Sequence, residues 1–198
     1  MMNGDFEAGN FTENISMLIR LALLLSFALA LSSSSASALE NENLLVGLPK
    51  GYKVGFHKKT EKGIISEMVP SGETVETWTE MVTVQIFFNM RNVTPAQFRE
   101  GLEKRWSGAC PDSQFSKVSE GVQNGYPTLV WLQVCKLNKQ TGKPEYTWMK
   151  AIQGRDSFYV LQKAFKFAPN DVQTKEWISY LDKVRTCDTR LPDRSCKM

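Results

Sequence analysis

The sequence of 198 residues predicts an α+β domain, an antiparallel sheet with two helices packed on one face. Three observations lead there. The elements read in the order β-β-β-α-β-β-β-β-α, without the strand–helix alternation of a parallel sheet. Asn124-Gly125 stands between two β-branched and aromatic runs, the strongest short hairpin signal. Two stretches join a cap residue to an apolar stripe of helical period with no competing strand pattern.

Taken in order, a polar linker at 39–47 is followed by "GYKVGF" and "GIISEMV", two strands around the charged turn "HKKTEKG". The segment from Val69 to Phe88 has two readings. As a helix, Thr77 and Glu80 form a capping box, with Trp78, Met81, Val82 and Ile86 on one stripe. As a strand, Val82, Val84, Ile86 and Phe88 alternate with Thr83, Gln85 and Asn89, Phe87 being the exception. The residue types favour a strand from about Trp78.

"TPAQFREGLEKRWSG" is a helix: Thr94 caps it, Pro95 takes the first position, Gln97 completes the capping box, and Phe98, Leu102 and Trp106 recur along one face. "FSKVSEGV" and "YPTLVWLQVCKL" flank the Asn-Gly turn, and "EYTWMKAIQ" and "SFYVLQKAFKF" pair across Gly154-Arg155-Asp156. Pro169 and Asn170 open a last helix with Val172, Trp177, Ile178, Leu181 and Val184 as its stripe, and the tail from Asp188 reads as loop.

The front of the chain is organised differently. Arg20, the apolar run from Leu21 to Leu31, and Ala36-Ser37-Ala38 have the layout of a secretory signal peptide, too short for a spanning helix. Residues 1–16 carry Asp5, Glu7 and Glu13 and no base, contrary to a signal's positive start, so Met17 is the expected start and 17–38 the signal. The expected organisation is therefore an over-extended 1–16, a signal at 17–38, a linker at 39–47 and one domain at 48–198. The chain's 24 basic and 21 acidic residues become a net charge of +5 once residues 1–38 are removed. That mild excess has no basic face with interleaved aromatics, so nucleic acid is not an expected partner.

Cys110, Cys135, Cys187 and Cys196 all lie in the exported part, and four cysteines allow three pairings. Cys110–Cys135 and Cys187–Cys196 are preferred, since each joins neighbours across one element or loop. Their spacing is not that of a zinc site.

Few residues bear chemistry. Glu73, Glu76 and Glu80 would share a helical face, but on the strand reading they are solvated loop charge. His57 is the single histidine and sits at a charged turn, leaving at most one imidazole base for a Ser–His or Cys–His mechanism. Glycine-rich phosphate loops and the G-x-S-x-G, H-E-x-x-H and C-x-x-C motifs are absent, so no catalytic set, metal or cofactor is expected. Asn92-Val93-Thr94 is a glycosylation sequon. Among the aromatics, Tyr146 and Trp148 are the ones placed on a sheet face that could take a ligand; the rest read as core.

"GYKVGF", "EMVPSGETVETWTEMVTVQIF", Ala109-Cys110 after a helix ending in Trp106, and "AIQGRDSFYVLQKAFKF" resemble small exported bacterial proteins, over roughly residues 48 to 187. The strand–helix order also resembles the PsbP/Mog1-like α+β sandwich. Neither resemblance implies a catalytic motif. The expected function is a periplasmic or secreted, disulfide-stabilised, non-enzymatic domain of the bacterial envelope that binds a protein or small molecule. The alternatives are an exported hydrolase using carboxylates and an accessory protein anchored by an uncleaved signal segment.

Overall fold

A computed structural model describes residues 39–194 and Cys196. The expected signal segment, the extended N-terminus and the start at Met17 lie outside the described residues. Seven strands form one antiparallel sheet: β2 (Tyr52–Thr60), β3 (Gly63–Pro70), β4 (Glu80–Phe88), β5 (Gln114–Gln123), β6 (Tyr126–Asn138), β7 (Lys143–Gln153) and β8 (Ser157–Phe165), in the order β2-β3-β4-β8-β7-β6-β5. Two meanders, β2-β3-β4 and β5-β6-β7-β8, are joined by helix α1 (Pro95–Ala109) and close where β4 pairs with β8, Val84 opposite Leu161. At the β5–β6 turn Asn124 and Gly125 take φ of 49° and 78°, the paired positive values of a two-residue hairpin. The strand reading of the ambiguous segment holds, with the strand beginning at Glu80.

The α+β class and antiparallel sheet are as expected; the placement of the helices differs. Phe98 of α1 lies 5.0 Å from Phe158 by ring centroids, whereas Trp177 of helix α2 (Asp171–Lys183) lies 6.5 Å from Phe165. Phe158 and Phe165 are seven residues apart on an unbulged strand, so they point to opposite faces. The helices therefore cover one face each. The cause is legible in β6, β7 and β8, where consecutive residues are buried (Trp148 with Met149, Val160 with Leu161), so each face needs its own cover.

Residues 39–47, expected to be a linker, belong to the folded unit that begins at Leu39. Within them β1 (Glu42–Leu45) pairs with β9 (Arg185–Asp188), a strand formed where the tail was read as loop. The Glu42 carboxylate ties this ribbon to the β7–β8 turn. It accepts from the backbone N–H of Arg155 (2.5 Å), Asp156 (3.0 Å) and Ser157 (3.1 Å), and from the Tyr159 hydroxyl (2.9 Å). Gly154 makes room: a Cβ there would lie 2.3 Å from Glu42 Oε1. Glu42→Ala is expected to lower stability by about 2 kcal/mol, because charge-assisted bonds are lost and turn amides left without an acceptor. Urea unfolding checks this, with faster amide exchange in β1 and β9; an unchanged midpoint would contradict it.

Both disulfides form as preferred, Cys110–Cys135 between the end of α1 and β6, and Cys187–Cys196 between β9 and the tail. The stripe of α2 is shifted from the expected one. Trp177 and Leu181 are buried, Tyr180 packs against them, and Val172 and Ile178 face outward. Lys150 of β7 closes that helix from below, its Nζ donating to the carbonyls of Leu181 (2.7 Å) and Val184 (2.6 Å) and to Gln123 Oε1 (2.7 Å).

Candidate functional site

The face under α2 carries a charged group in its interior. On β8, Tyr159, Leu161, Lys163 and Phe165 point to this face by strand alternation, so Lys163 is placed among apolar neighbours and its side chain is fully buried. Its Nζ donates to Glu80 Oε2 at 2.7 Å and to the Tyr52 hydroxyl at 2.6 Å. It also lies over three rings, 3.8 Å from the centroid of Trp177, 4.2 Å from Phe165 and 4.9 Å from Tyr52. Tyr52 in turn donates to the same Glu80 Oε2 at 2.7 Å. One carboxylate oxygen thus holds the lysine and the tyrosine together, and Glu80 Oε1 has no hydrogen-bond partner among the described residues.

Glu80 lines a cleft of about 330 Å³ between the start of α2 and the ends of β2, β3 and β4. Tyr52, Trp177, Tyr180, Pro49 and Pro70 make its walls, and Lys50, Gln173 and Glu176 its rim. The α2 capping box fixes the rim, since Asn170 and Gln173 exchange bonds that leave the Gln173 NH₂ free. Two lysines, Lys163 and Lys50, stand among three carboxylates, Glu80, Glu176 and the more distant Glu73, so charges of both signs surround the cleft.

Burial pushes Lys163 down to about 8, against the opposing pull of Glu80, Glu73 and Glu176, and burial likewise pushes Lys150 down to about 8. Burial and the Glu80 carboxylate raise Tyr52 well above the ordinary tyrosine range; burial and Glu42 do the same for Tyr159. Burial pushes Tyr180 up to about 12. Between about pH 8 and the unfolded lysine value near 10.4, the native state has released protons that the unfolded chain still holds, so stability rises with pH. Above roughly pH 10 the unfolded tyrosines ionise while the native ones stay protonated, and stability falls. Urea midpoints are therefore expected to rise from pH 7.5 to a maximum near 10 and then drop. The gain is up to about 3 kcal/mol for each lysine. A steady decline from pH 7.5 to 10 would contradict this.

The three glutamates singled out in the sequence are not brought together. Glu73 closes its own loop on Thr79, accepting from the backbone N–H (2.6 Å) and hydroxyl (2.5 Å). Burial opposes ionisation of Glu73, but the Thr79 donors and Lys163 outweigh it and hold its carboxyl low. Glu76 is exposed and Glu80 alone enters the cleft, so reading Glu80 as solvated loop charge is corrected. His57 sits on exposed β2 with Nδ1 2.6 Å from Ser66 Oγ. Trp148 is buried edge-on to Phe165 at 5.8 Å, and Tyr146 packs half-buried beside that cluster on the same face as Lys163. Lys163 and Tyr52 carried no motif. The available signal was the inward register of Lys163 between Leu161 and Phe165. Among the described residues no group of acids, histidines and cysteines has the arrangement of a metal site, and no helix is long and apolar enough to cross a membrane.

No protein-family model and no curated protein matches the chain. Among solved structures it is similar to the Saccharomyces cerevisiae Ran-binding protein Mog1p, at 15% identity over 79% of this chain and 87% of that one (TM-score 0.41). It is similar to LpqN, involved in cell envelope biogenesis of Mycobacterium tuberculosis, at 10% identity over 78% and 87% (TM-score 0.39). It is also similar to the cyanobacterial PsbP of Synechocystis, at 12% identity over 78% and 95% (TM-score 0.42). The resemblance is weak and of fold alone.

Proposed function

We propose that the chain is an exported, disulfide-stapled binding domain whose ligand site is the cleft over Glu80. Export is supported by the signal-like segment before residue 39 and by the pairing of all four cysteines, which is rare in reducing compartments. The observation that carries the site is Glu80, lining a cleft with aromatic and proline walls and bonded through one oxygen alone among the described residues. A half-buried acceptor of this kind selects a ligand with a hydrogen-bond donor. The walls are aromatic and proline and the nearby charges are of both signs, so the fitting ligand is small, neutral and hydroxyl-bearing. The interior lysine is saturated by Glu80, Tyr52 and three rings, which suits a preorganised floor better than a base or nucleophile.

The test is calorimetric titration of the oxidised chain with N-acetylglucosamine as a neutral hydroxylated probe, beside n-butylammonium and propionate as charged ones. Saturable heat with the neutral probe alone, lost in Glu80→Gln, is the expected result. An equal response to the charged probes would overturn the ligand class. Hydrolysis of a glycoside or ester substrate that Glu80→Gln abolishes without unfolding would replace the binding reading by the carboxylate hydrolase.

A further inference from the structure

Lys163 and Ser157 are six residues apart on β8, about 20 Å at 3.3 Å per residue, and a second open cleft of about 490 Å³ lies at the Ser157 end. Gly125, Tyr126, Pro127, Gln153, Arg155 and Arg194 line it. Tyr126 is 1% exposed and the Arg194 guanidinium is the group that offers its hydroxyl a hydrogen bond, while the buried Nε–H of Arg194 has no acceptor at normal distance among the described residues. A buried arginine Nε–H left without an acceptor beside a tyrosine that lines the same cleft is unusual, because buried polar groups are nearly always paired.

The charges point the same way. Arg155 is exposed, and its guanidinium makes no bond among the described residues; only its backbone N–H is used, by Glu42. Arg194 stacks over the Tyr126 ring at 4.6 Å, and its one acidic neighbour, Asp193, is 3.8 Å away and mostly exposed. Such a pair is weak and screened. The acids behind Tyr126 are already engaged: Glu42 holds three backbone amides and Tyr159, and Asp188 holds Arg190. Arg155 meets Asp188 only through space and Arg194 meets Asp193 only at 3.8 Å, so neither guanidinium lining the cleft is hydrogen-bonded to an anion among the described residues.

We propose that this cleft is an oxyanion site that takes a phosphate-class group through Arg155, Arg194 and the Tyr126 hydroxyl. The three donors come from separate segments: the first residue of β6, the β7–β8 turn and the C-terminal turn. A tetrahedral anion presents oxygens in three directions and satisfies them together, while a planar carboxylate reaches two. The site is independent of the Glu80 cleft and stands or falls apart from it.

The experiment titrates inorganic phosphate into the oxidised chain at low salt while following the arginine Nε–H resonances together with the backbone amides of Gly125, Tyr126, Gln153 and Gly154, which remain readable in every variant. Saturable shifts at Arg155 and Arg194 are expected, weakened about tenfold by Arg155→Gln and abolished when Arg194→Gln is added. Tyr126→Phe keeps the ring under Arg194 and should also weaken binding, which guards against a double variant that fails to fold. Sedimentation with phosphatidylglycerol but not phosphatidylcholine vesicles, dependent on both arginines, would assign the phosphate to a lipid headgroup. Phosphate shifts without sedimentation would assign it to a soluble phosphorylated ligand. No saturable shift, or shifts that survive the double substitution, would overturn the site, and an equal response to acetate would overturn the tetrahedral class.

Discussion

Glu80→Ala is expected to cost about 3–5 kcal/mol at pH 7, the range for stranding one member of a buried ion pair. Lys163 has no exposed edge, so loss of Glu80 leaves its charge with only the Tyr52 oxygen and three ring faces. The lysine can escape by losing its proton, so the cost should shrink as the pH passes the already lowered value of about 8. Lys163→Met is expected to behave quite differently. Glu80 keeps the Tyr52 bond and a 20% exposed side chain, while a thioether fills the space between the rings. That change should cost less, about 1–2 kcal/mol, because the stranded Glu80 keeps a hydrogen bond and some contact with water, unlike the fully buried lysine. Urea unfolding of both variants at pH 7 and 9.5 checks the asymmetry. Equal losses at both positions would mean that Lys163 is not the stranded partner.

Loss of the Cys110–Cys135 bond is the second large effect expected. The bridge closes 25 residues, and chain entropy alone sets its contribution near 3.5 kcal/mol. Helix α1 needs this more than α2 does. Pro95 is its only buried residue, and Phe98 and Leu102 pack half-buried against the Leu129–Trp131–Phe158 cluster. Both sulfurs are in the interior, Cys110 being 2% exposed and Cys135 fully buried. A Cys110→Ala/Cys135→Ala variant should therefore lose about 3–4 kcal/mol in urea unfolding, with amide protection lost first in α1 and at the end of β6. The Cys187–Cys196 bridge closes a shorter loop of 9 residues and should matter less. Equal protection in α1 with and without the bridge would contradict this account.

The parts of the fold legible in the sequence are those with a local cause. The Thr94 and Asn170 caps, the Asn124-Gly125 turn and the β-branched run of β4 each act within a few residues, and each element forms where expected, although Met81 to Val84 are buried on both faces rather than alternately. The β1–β9 ribbon was hidden because its halves lie at the two ends of the domain and each is only four residues long. Glu42 reads as a polar linker residue until the β7–β8 turn is brought to it. The division of the helices between two faces was encoded in the doubly buried strands, but which helix covers which face depends on long-range pairing. The site was hidden for the same reason. Glu80 was visible as one of three glutamates, but its role depends on Lys163 and Tyr52, 83 and 28 residues away in sequence.

The central claim is that the Glu80 cleft binds a ligand on a floor preset by Lys163 and Tyr52. Its most direct measurement follows the Trp177 indole N–H and the Tyr52 and Tyr180 ring signals while N-acetylglucosamine is added. The account predicts a saturable shift confined to these residues and α2's first turns, absent in Glu80→Gln and retained in Lys163→Met at reduced affinity. Signals at the cleft that stay fixed while the probe is added would contradict it.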